Sequence, residues 1–394
     1  MRAIALVLAP LAAACSTVTS EPAPPASVAV VFDRETMTRP IIEGVADRGT
    51  GRPVEANDPV RIASISKLIM ALATLQLVDE GKVELGADVS DYLGWKVRHP
   101  DYPDVPVTLA QLLMHRSGLR DDAGYVVPLG ESLETRLAEP EAWYRGAPPG
   151  DAPFEYANLG SPLVATVLEA ASGERYDRLI DRTLFAPLGI EACLNWIGCS
   201  QGFADSAVVL YRSGGEVARD DAADRPPNCT IPVGDGEDCS LENYQPGTNA
   251  SIFSPQGGVR IGMEDLAKIG QELLKPAEQS FFSERVLGEL IFSMMAAPKN
   301  VEFFCGYGAG IQMIEVPNHG CNDALFGDGK PRIGHAGEAY GLRSGLWLDH
   351  EGGTGIAYFV TAVPDRTAPD EGGFAPEEVA LVRRAQEMTA KAGK

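Results

Sequence analysis

The chain reads as an α/β protein of the α+β type. An antiparallel sheet flanked by helices is assembled from both termini, and an all-helical domain is inserted between them. Three observations predict this. Short apolar runs rich in β-formers lie near the start and return between residues 310 and 361. The stretch from 88 to 250 carries helical periodicity and loop signals instead. Between the first strands and that stretch, Leu68 to Val78 is apolar on nearly all sides, which marks a buried central helix. The expected divisions are a targeting segment at 1–14, a tether at 15–26, an α/β domain from 27–87 and 251–394, and a mostly helical domain from 88–250.

Each element has its own signal. Arg2 precedes an apolar run from Ala3 to Leu11 and then Ala12-Ala13-Ala14-Cys15. A positive residue, a short apolar core and small residues before a cut describe an export signal. The cysteine directly after the small residues resembles a bacterial lipobox, which makes Cys15 the expected lipidation site. Ser16 to Ala26 is rich in Ser, Thr and Pro and reads as a tether. Val28 to Phe32 and Ile41 to Val45 are strand candidates. Gly81 is placed to end the central helix. Thr108 caps a helix through Met114. Ser161-Pro162 opens another, with Gly173 past its end. Tyr176 to Phe185 is a helix closed by Pro187-Leu188-Gly189, and 219–239 is an acidic, Pro-rich loop. Met263 to Leu274 is helical. Strands follow at Gly310 to Val316, Arg332 to Gly334, Leu342 to Leu348 and Gly355 to Thr361. A turn at His350-Glu351-Gly352-Gly353 joins the last two, and Pro376 to Lys391 is a terminal helix.

Composition narrows the classes. The 394 residues are 45% apolar, enough for a substantial core. With 55 acidic and 33 basic residues the net charge is −22, which repels nucleic acid and anionic lipid alike. Membrane attachment is expected only through an N-terminal lipid, because no apolar run of spanning length follows the first residues. Beyond Cys15 there are six cysteines, an even number that suggests disulfides in an exported protein. They form three local couples, giving the expected bridges Cys193–Cys199, Cys229–Cys239 and Cys305–Cys321. Their spacing and lack of nearby His argue against zinc. The five histidines, His99, His115, His319, His335 and His350, are too scattered for a metal site. His115 reads as support for a helix end. No metal or cofactor is expected.

Chemistry concentrates in Ala63-Ser64-Ile65-Ser66-Lys67. Residues three apart share a helix face, so Ser64 and Lys67 point the same way. A hydroxyl beside an amine is a nucleophile beside a base, provided burial lowers the lysine pKa. The helix N-terminus also favours negative charge developing on the serine oxygen. Taken alone, the tetrapeptide equally describes a helix cap and a solvated lysine. Two further motifs follow in order: Tyr156-Ala157-Asn158, and His335-Ala336-Gly337 in the strand region.

The order Ser-x-x-Lys, Tyr-x-Asn, His-x-Gly resembles the penicillin-recognising serine hydrolases. These include class C β-lactamases, D-Ala-D-Ala carboxypeptidases, D-amino-acid peptidases and β-lactamase-like esterases. The likeness spans about residues 27 to 365 and extends to Leu112-Leu113-Met114-His115-Arg116-Ser117-Gly118-Leu119, Pro187-Leu188-Gly189 and Gln256-Gly257-Gly258. It implies a β-lactamase/transpeptidase-like fold with the active site at the domain interface. It also implies Ser64 as the acyl-enzyme nucleophile, Lys67 assisting its deprotonation, and Tyr156 as the other acid/base group, its phenolate favoured by nearby cations. Asn158 would bond Lys67 and the substrate amide. The N–H groups of Ser64 and Glu338 would form the oxyanion hole, with His335 and Gly337 on the facing strand. Whether Lys67 or Tyr156 takes the proton is left open.

This sequence departs from the β-lactam-hydrolysing members at His335-Ala336. Lys-Thr-Gly or Lys-Ser-Gly there supplies an ammonium and a hydroxyl for a substrate carboxylate. An imidazole and a methyl weaken that anchor and favour an esterase or D-amino-acid peptidase, acting on a small ester, amide or peptide. Arg343 is an alternative cation, with a structural arginine as the competing reading. The remaining alternatives are a class C-type β-lactamase and an envelope binding protein without turnover. Gly198-Cys199-Ser200-Gln201-Gly202 also fits the nucleophile elbow of α/β-hydrolases, but it lacks a convincing preceding strand.

Overall fold

The structure, a computed structural model, describes residues 24–212, 214–218, 231–236, 238–294, 303–304, 306–317, 320–364 and 373–392. The targeting segment, Cys15, most of the acidic loop, Cys229, Cys305 and His319 lie outside the described residues.

The strands are β1 (Ser27–Asp33), β2 (Ile41–Glu43), β3 (Val45–Asp47), β4 (Arg52–Pro53), β5 (Val60–Arg61), β6 (Ala192–Leu194), β7 (Val259–Ile261), β8 (Gly306–Tyr307), β9 (Gln312–Ile314), β10 (Arg332–Ala339), β11 (Leu342–Asp349) and β12 (Thr354–Val360). Seven of them form one sheet in the order β2-β1-β12-β11-β10-β9-β8, and its pairs are antiparallel. The N-terminal strand thus seats beside the last one, with Val28 opposite Phe359 and Val30 opposite Ala357. The single run expected at Ile41 to Val45 is two strands, because Gly44 turns the chain at φ 85°. A two-residue turn, Tyr340-Gly341, joins β10 to β11 with φ 53° and 74°. Positive φ at both positions suits the right-handed strand twist and favours glycine at the second.

The helices are α1 (Ile65–Asp79), α2 (Ser90–Leu93), α3 (Leu109–Leu113), α4 (Leu133–Leu137), α5 (Gly160–Ser172), α6 (Tyr176–Ile180), α7 (Gln201–Asp205), α8 (Met263–Leu274), α9 (Glu284–Met294) and α10 (Pro376–Ala392). Alternation along the strands sorts the two sheet faces. Val28, Val30, Leu342, Leu346 and Leu348 join the main core with α1, α5 and α8. Ala29, Trp347, Ile356 and Tyr358 face Leu381, Val382 and Ala385 of α10 in a second cluster. Helix α1 is buried from Ile65 to Val78 except at Gln76, as its all-round apolar sequence predicts. No helix among the described residues is long and apolar enough to cross a membrane.

The stretch between α1 and β7 consists of short helices and loops, but it also carries β6. That strand pairs with β7, which pairs with β5, making a small sheet beside the start of α1. Cys193 and Cys199 are bridged across a six-residue separation, with their Cα atoms 5.3 Å apart. Cys239 and Cys321 are also disulfide-bonded, but the partners expected for them lie outside the described residues.

Candidate active site

The turn Ile62-Ala63-Ser64 delivers the serine to the mouth of α1. Ala63 adopts φ 47°, a left-handed conformation that costs an L-residue about 1 kcal/mol or more. Ser64 occupies the N-cap position, yet its side chain caps nothing. The hydroxyl is therefore left for other partners and remains partly accessible. Among the described residues Ser64 N–H donates to no acceptor.

One helical turn on, Lys67 is 1% exposed. Its Nζ lies 3.2 Å from Ser64 Oγ, 2.8 Å from Asn158 Oδ1 and 3.2 Å from the Gln256 carbonyl. Burial lowers its pKa to about 7, opposed by the negative charge of Asp121. The partners then fix how the neutral amine is oriented. A neutral amine has two N–H donors and one lone pair. Asn158 Oδ1 and Gln256 O can only accept, so they take both N–H groups. The lone pair is left facing the Ser64 hydroxyl.

Asp121 holds the Asn158 amide in that orientation. Its Oδ2 accepts from Asn158 Nδ2 at 2.9 Å, and its Oδ1 accepts from the backbone N–H of Asn158 and Leu159 at 2.7 and 2.9 Å. Those two backbone bonds also replace the cap expected from Ser161, since α5 begins at Gly160. Asp121 carries no motif signal, and sequence reasoning missed it.

The Tyr156 phenol interacts with the Ser64 hydroxyl. Its ring lies 4.6 Å from Lys67 Nζ and stacks on Phe304 with centroids 4.5 Å apart. Desolvation pushes the phenol well above its ordinary pKa, Asp121 adds to the effect, and only the Ser64 interaction opposes it. The phenolate expected from nearby cationic charge is thus disfavoured, because burial of the phenol dominates. Tyr156 is therefore a neutral phenol here, whereas Lys67 is the group held near neutrality.

The His-x-Gly motif lies within β10, which runs five residues past the expected Gly334. Gly337 faces the catalytic side. A Cβ there would stand 2.3 Å from the Ile62 carbonyl and 2.3 Å from Ser344 Oγ, itself 3.0 Å from that carbonyl. Only glycine lets β10 approach the Ser64 turn this closely. Gly337→Ala is therefore expected to lower kcat/KM by about 10²-fold through displacement of the strand. It should cost about 1–3 kcal/mol of stability through overpacking. Steady-state kinetics and thermal melting measure the two effects.

Pairing with β9 covers only Arg332 to Gly334. Ala336 N–H points to that same edge, toward Gln312 Oε1 at 3.4 Å. By the two-residue strand period, Glu338 N–H points the same way. The Glu338 side chain lies on the α10 face, where it pairs with Arg343 at 2.8 Å. Arg343 is 3% exposed, so its guanidinium is neither a surface group nor a cation on the serine's face.

His335 differs most from expectation. It is 1% exposed, and both ring nitrogens are engaged, Nε2 2.9 Å from Tyr307 Oη and Nδ1 2.6 Å from the Ala336 carbonyl. Burial and the nearby Lys67 depress its pKa to about 3. It is a neutral internal group beneath the site, not an imidazole offered to substrate.

Ser200 caps α7 by accepting from Phe203 N–H at 3.1 Å, and it donates to Glu191 at 2.9 Å. Cys199 beside it is in a disulfide, so the elbow geometry is not formed. His99 is fully buried against the Tyr144 carbonyl. Among the described residues no three His, Cys, Asp or Glu are grouped to hold a metal.

An antiparallel sheet flanked by helices, with the Ser-x-x-Lys helix α1 packed against β10, is the β-lactamase/transpeptidase-like fold that the resemblance implied. The chain belongs to the Beta-lactamase family, whose profile matches residues 16–377. That family contains serine hydrolases of several substrate classes. Esterase EstB of Burkholderia gladioli is 33% identical over 165 residues, 38% of this chain and 42% of that protein. The D-alanyl-D-alanine-carboxypeptidase/endopeptidase AmpH of Escherichia coli K12 is 34% identical over 140 residues, 34% of this chain and 35% of that one. The matched stretches thus span less than half the length of these relatives. Among solved structures, D-amino acid amidase from Ochrobactrum anthropi SV3 aligns with TM-score 0.67 at 18% identity, covering 94% of this chain and 95% of that one. A class C β-lactamase aligns with TM-score 0.63 at 15% identity, covering 92% and 91%. At those identities the likeness shows a shared fold.

Proposed function

We propose that the protein is an exported serine acyl hydrolase that cleaves a carboxylic ester, or a D-amino-acid amide or peptide, through an acyl-enzyme on Ser64. The observation that carries this reading is Lys67 Nζ 3.2 Å from Ser64 Oγ, with Asn158 Oδ1 and the Gln256 carbonyl, both able only to accept, as its other partners. Ser64 Oγ bonds to the acyl carbon while its proton passes to Lys67 Nζ. The oxyanion is met by the N–H groups of Ser64 and Glu338, each such donor being worth about 3–4 kcal/mol in the transition state. The carbon–leaving group bond then breaks, and the departing oxygen or nitrogen takes the proton back from Lys67 through the Tyr156 hydroxyl. Water repeats the sequence in reverse to release the acid, with Asn158 orienting Lys67 and the substrate amide. Export, and lipid attachment at Cys15, rest on residues 1–15 alone.

Esters and unanchored amides are favoured over β-lactams because neither His335 nor Arg343 offers a cation on the serine's face of the sheet. His335 is neutral and enclosed, and Arg343 lies on the other face. Parallel assays with p-nitrophenyl acetate, a D-amino-acid p-nitroanilide and a chromogenic cephalosporin test the choice. The ester or anilide is expected to be turned over with the higher kcat/KM. A faster cephalosporin supports the β-lactamase alternative. No turnover of any of the three, and no serine-probe labelling, supports a binding protein.

A further inference from the structure

Beneath Tyr156 and Lys67 lies a row of buried polar groups that the proposed steps do not use. His115 ends the turn after α3 with φ 52°. It grips the Tyr-x-Asn loop twice: its carbonyl accepts from Glu155 N–H at 3.1 Å, and its Nδ1 accepts from Ala157 N–H at 3.3 Å. Its Nε2 lies 3.3 Å from Tyr307 Oη on β8, and Tyr307 Oη lies 2.9 Å from His335 Nε2 on β10. His335 Nδ1 ends the row at the Ala336 carbonyl. His115 is 8% exposed, and Tyr307 and His335 are 1% exposed.

Both ends of this row are backbone groups of fixed character. Ala157 N–H can only donate, so His115 Nδ1 is the acceptor and Nε2 carries the proton. The Ala336 carbonyl can only accept, so His335 Nδ1 carries the proton and Nε2 is the acceptor. Tyr307 then receives from His115 and gives to His335. A single proton arrangement satisfies all four bonds. A second proton on His115 would face the Ala157 N–H, and one on His335 would take away the acceptor of the Tyr307 hydroxyl. Burial acts in the same direction, holding both histidines neutral and Tyr307 protonated.

We propose that His115, Tyr307 and His335 form an uncharged hydrogen-bond spine of fixed direction that bolts the Tyr156–Asn158 loop to strand β10. The three are positioning residues. The spine sets the distance between the groups that handle the serine proton and the strand that carries Gly337 and Glu338. A neutral link suits that place because a buried imidazolium would stand near Lys67, and the two cations would repel. Its existence stands on geometry, while its catalytic importance rests on the acyl-hydrolase reading.

Nitrogen-15 NMR of histidine-labelled full-length protein at pH 7 tests the spine independently of activity, with His335→Gln and His115→Gln assigning the signals. The expected result is His335 protonated at Nδ1 and His115 protonated at Nε2. His335 protonated at Nε2, or either ring carrying both protons, overturns the proposal. Tyr307→Phe tests the positioning. It is expected to lower kcat for the best substrate about 10-fold with KM within about two-fold, while His335 loses its single tautomer. His335→Gln, which keeps an acceptor for Tyr307, should retain more kcat than His335→Leu. A folded Tyr307→Phe enzyme with unchanged kcat contradicts the positioning role. If that variant does not fold, the wild-type tautomers still decide.

Discussion

Ser64→Ala is expected to remove ester hydrolysis by about 10⁴- to 10⁶-fold while leaving the fold intact. The size of the loss follows from the chemistry, since no second serine or threonine hydroxyl bonds Lys67 Nζ among the described residues. The intact fold follows from the helix cap. The Ser64 side chain satisfies no backbone N–H of α1, and it is partly accessible. Its removal opens no sealed cavity, so the thermal midpoint should shift by no more than a few degrees. Paired kcat/KM values for p-nitrophenyl acetate and melting curves of the two proteins supply both halves of the comparison.

Lys67→Met is expected to cost about 10²- to 10⁴-fold in kcat/KM, the usual contribution of a positioned base. It should also erase a pH dependence. In the wild type, Lys67 has a pKa of about 7. Above that pH the neutral amine can accept the serine proton, and below it the ammonium cannot. Activity should therefore rise with pH through about 7 along a one-proton limb, and methionine should flatten it. Folding should survive. The substitution strands two buried acceptors at about 1–3 kcal/mol each, but it also relieves the burial of an amine that is charged in half the molecules at neutral pH. An acid optimum in the wild type, or an unchanged limb in the variant, would point to a different base.

Local signals carried much of the fold. The strand at Val28 to Phe32, the central helix, the Thr108 cap and helix Met263 to Leu274 each rest on residues adjacent in sequence, and each formed where those residues stand. Elements that depend on distant partners were harder to read. Strands β5, β6 and β7 are two or three residues long and exist because they meet one another. Helix α9, although amphipathic, follows a Ser- and Phe-rich stretch that masked its start.

The site divides along the same line. Ser64 and Lys67 share one helix face by periodicity, so their pairing was legible. The roles of Asp121 and Tyr307 were not, because each is defined by a contact across the fold: Asp121 with Asn158, 37 residues away, and Tyr307 with His115 and His335. The surroundings of His335 depend on such a contact too. Strand alternation puts it on the same face as Gly337, and Tyr307 encloses it there. No local pattern encodes that enclosure.

The most direct test of Ser64 as nucleophile is covalent. Wild-type protein treated with a fluorophosphonate probe, digested and mapped by mass spectrometry should carry one adduct, on the peptide containing Ser64. An adduct on Ser200, or none on a folded sample, would contradict it.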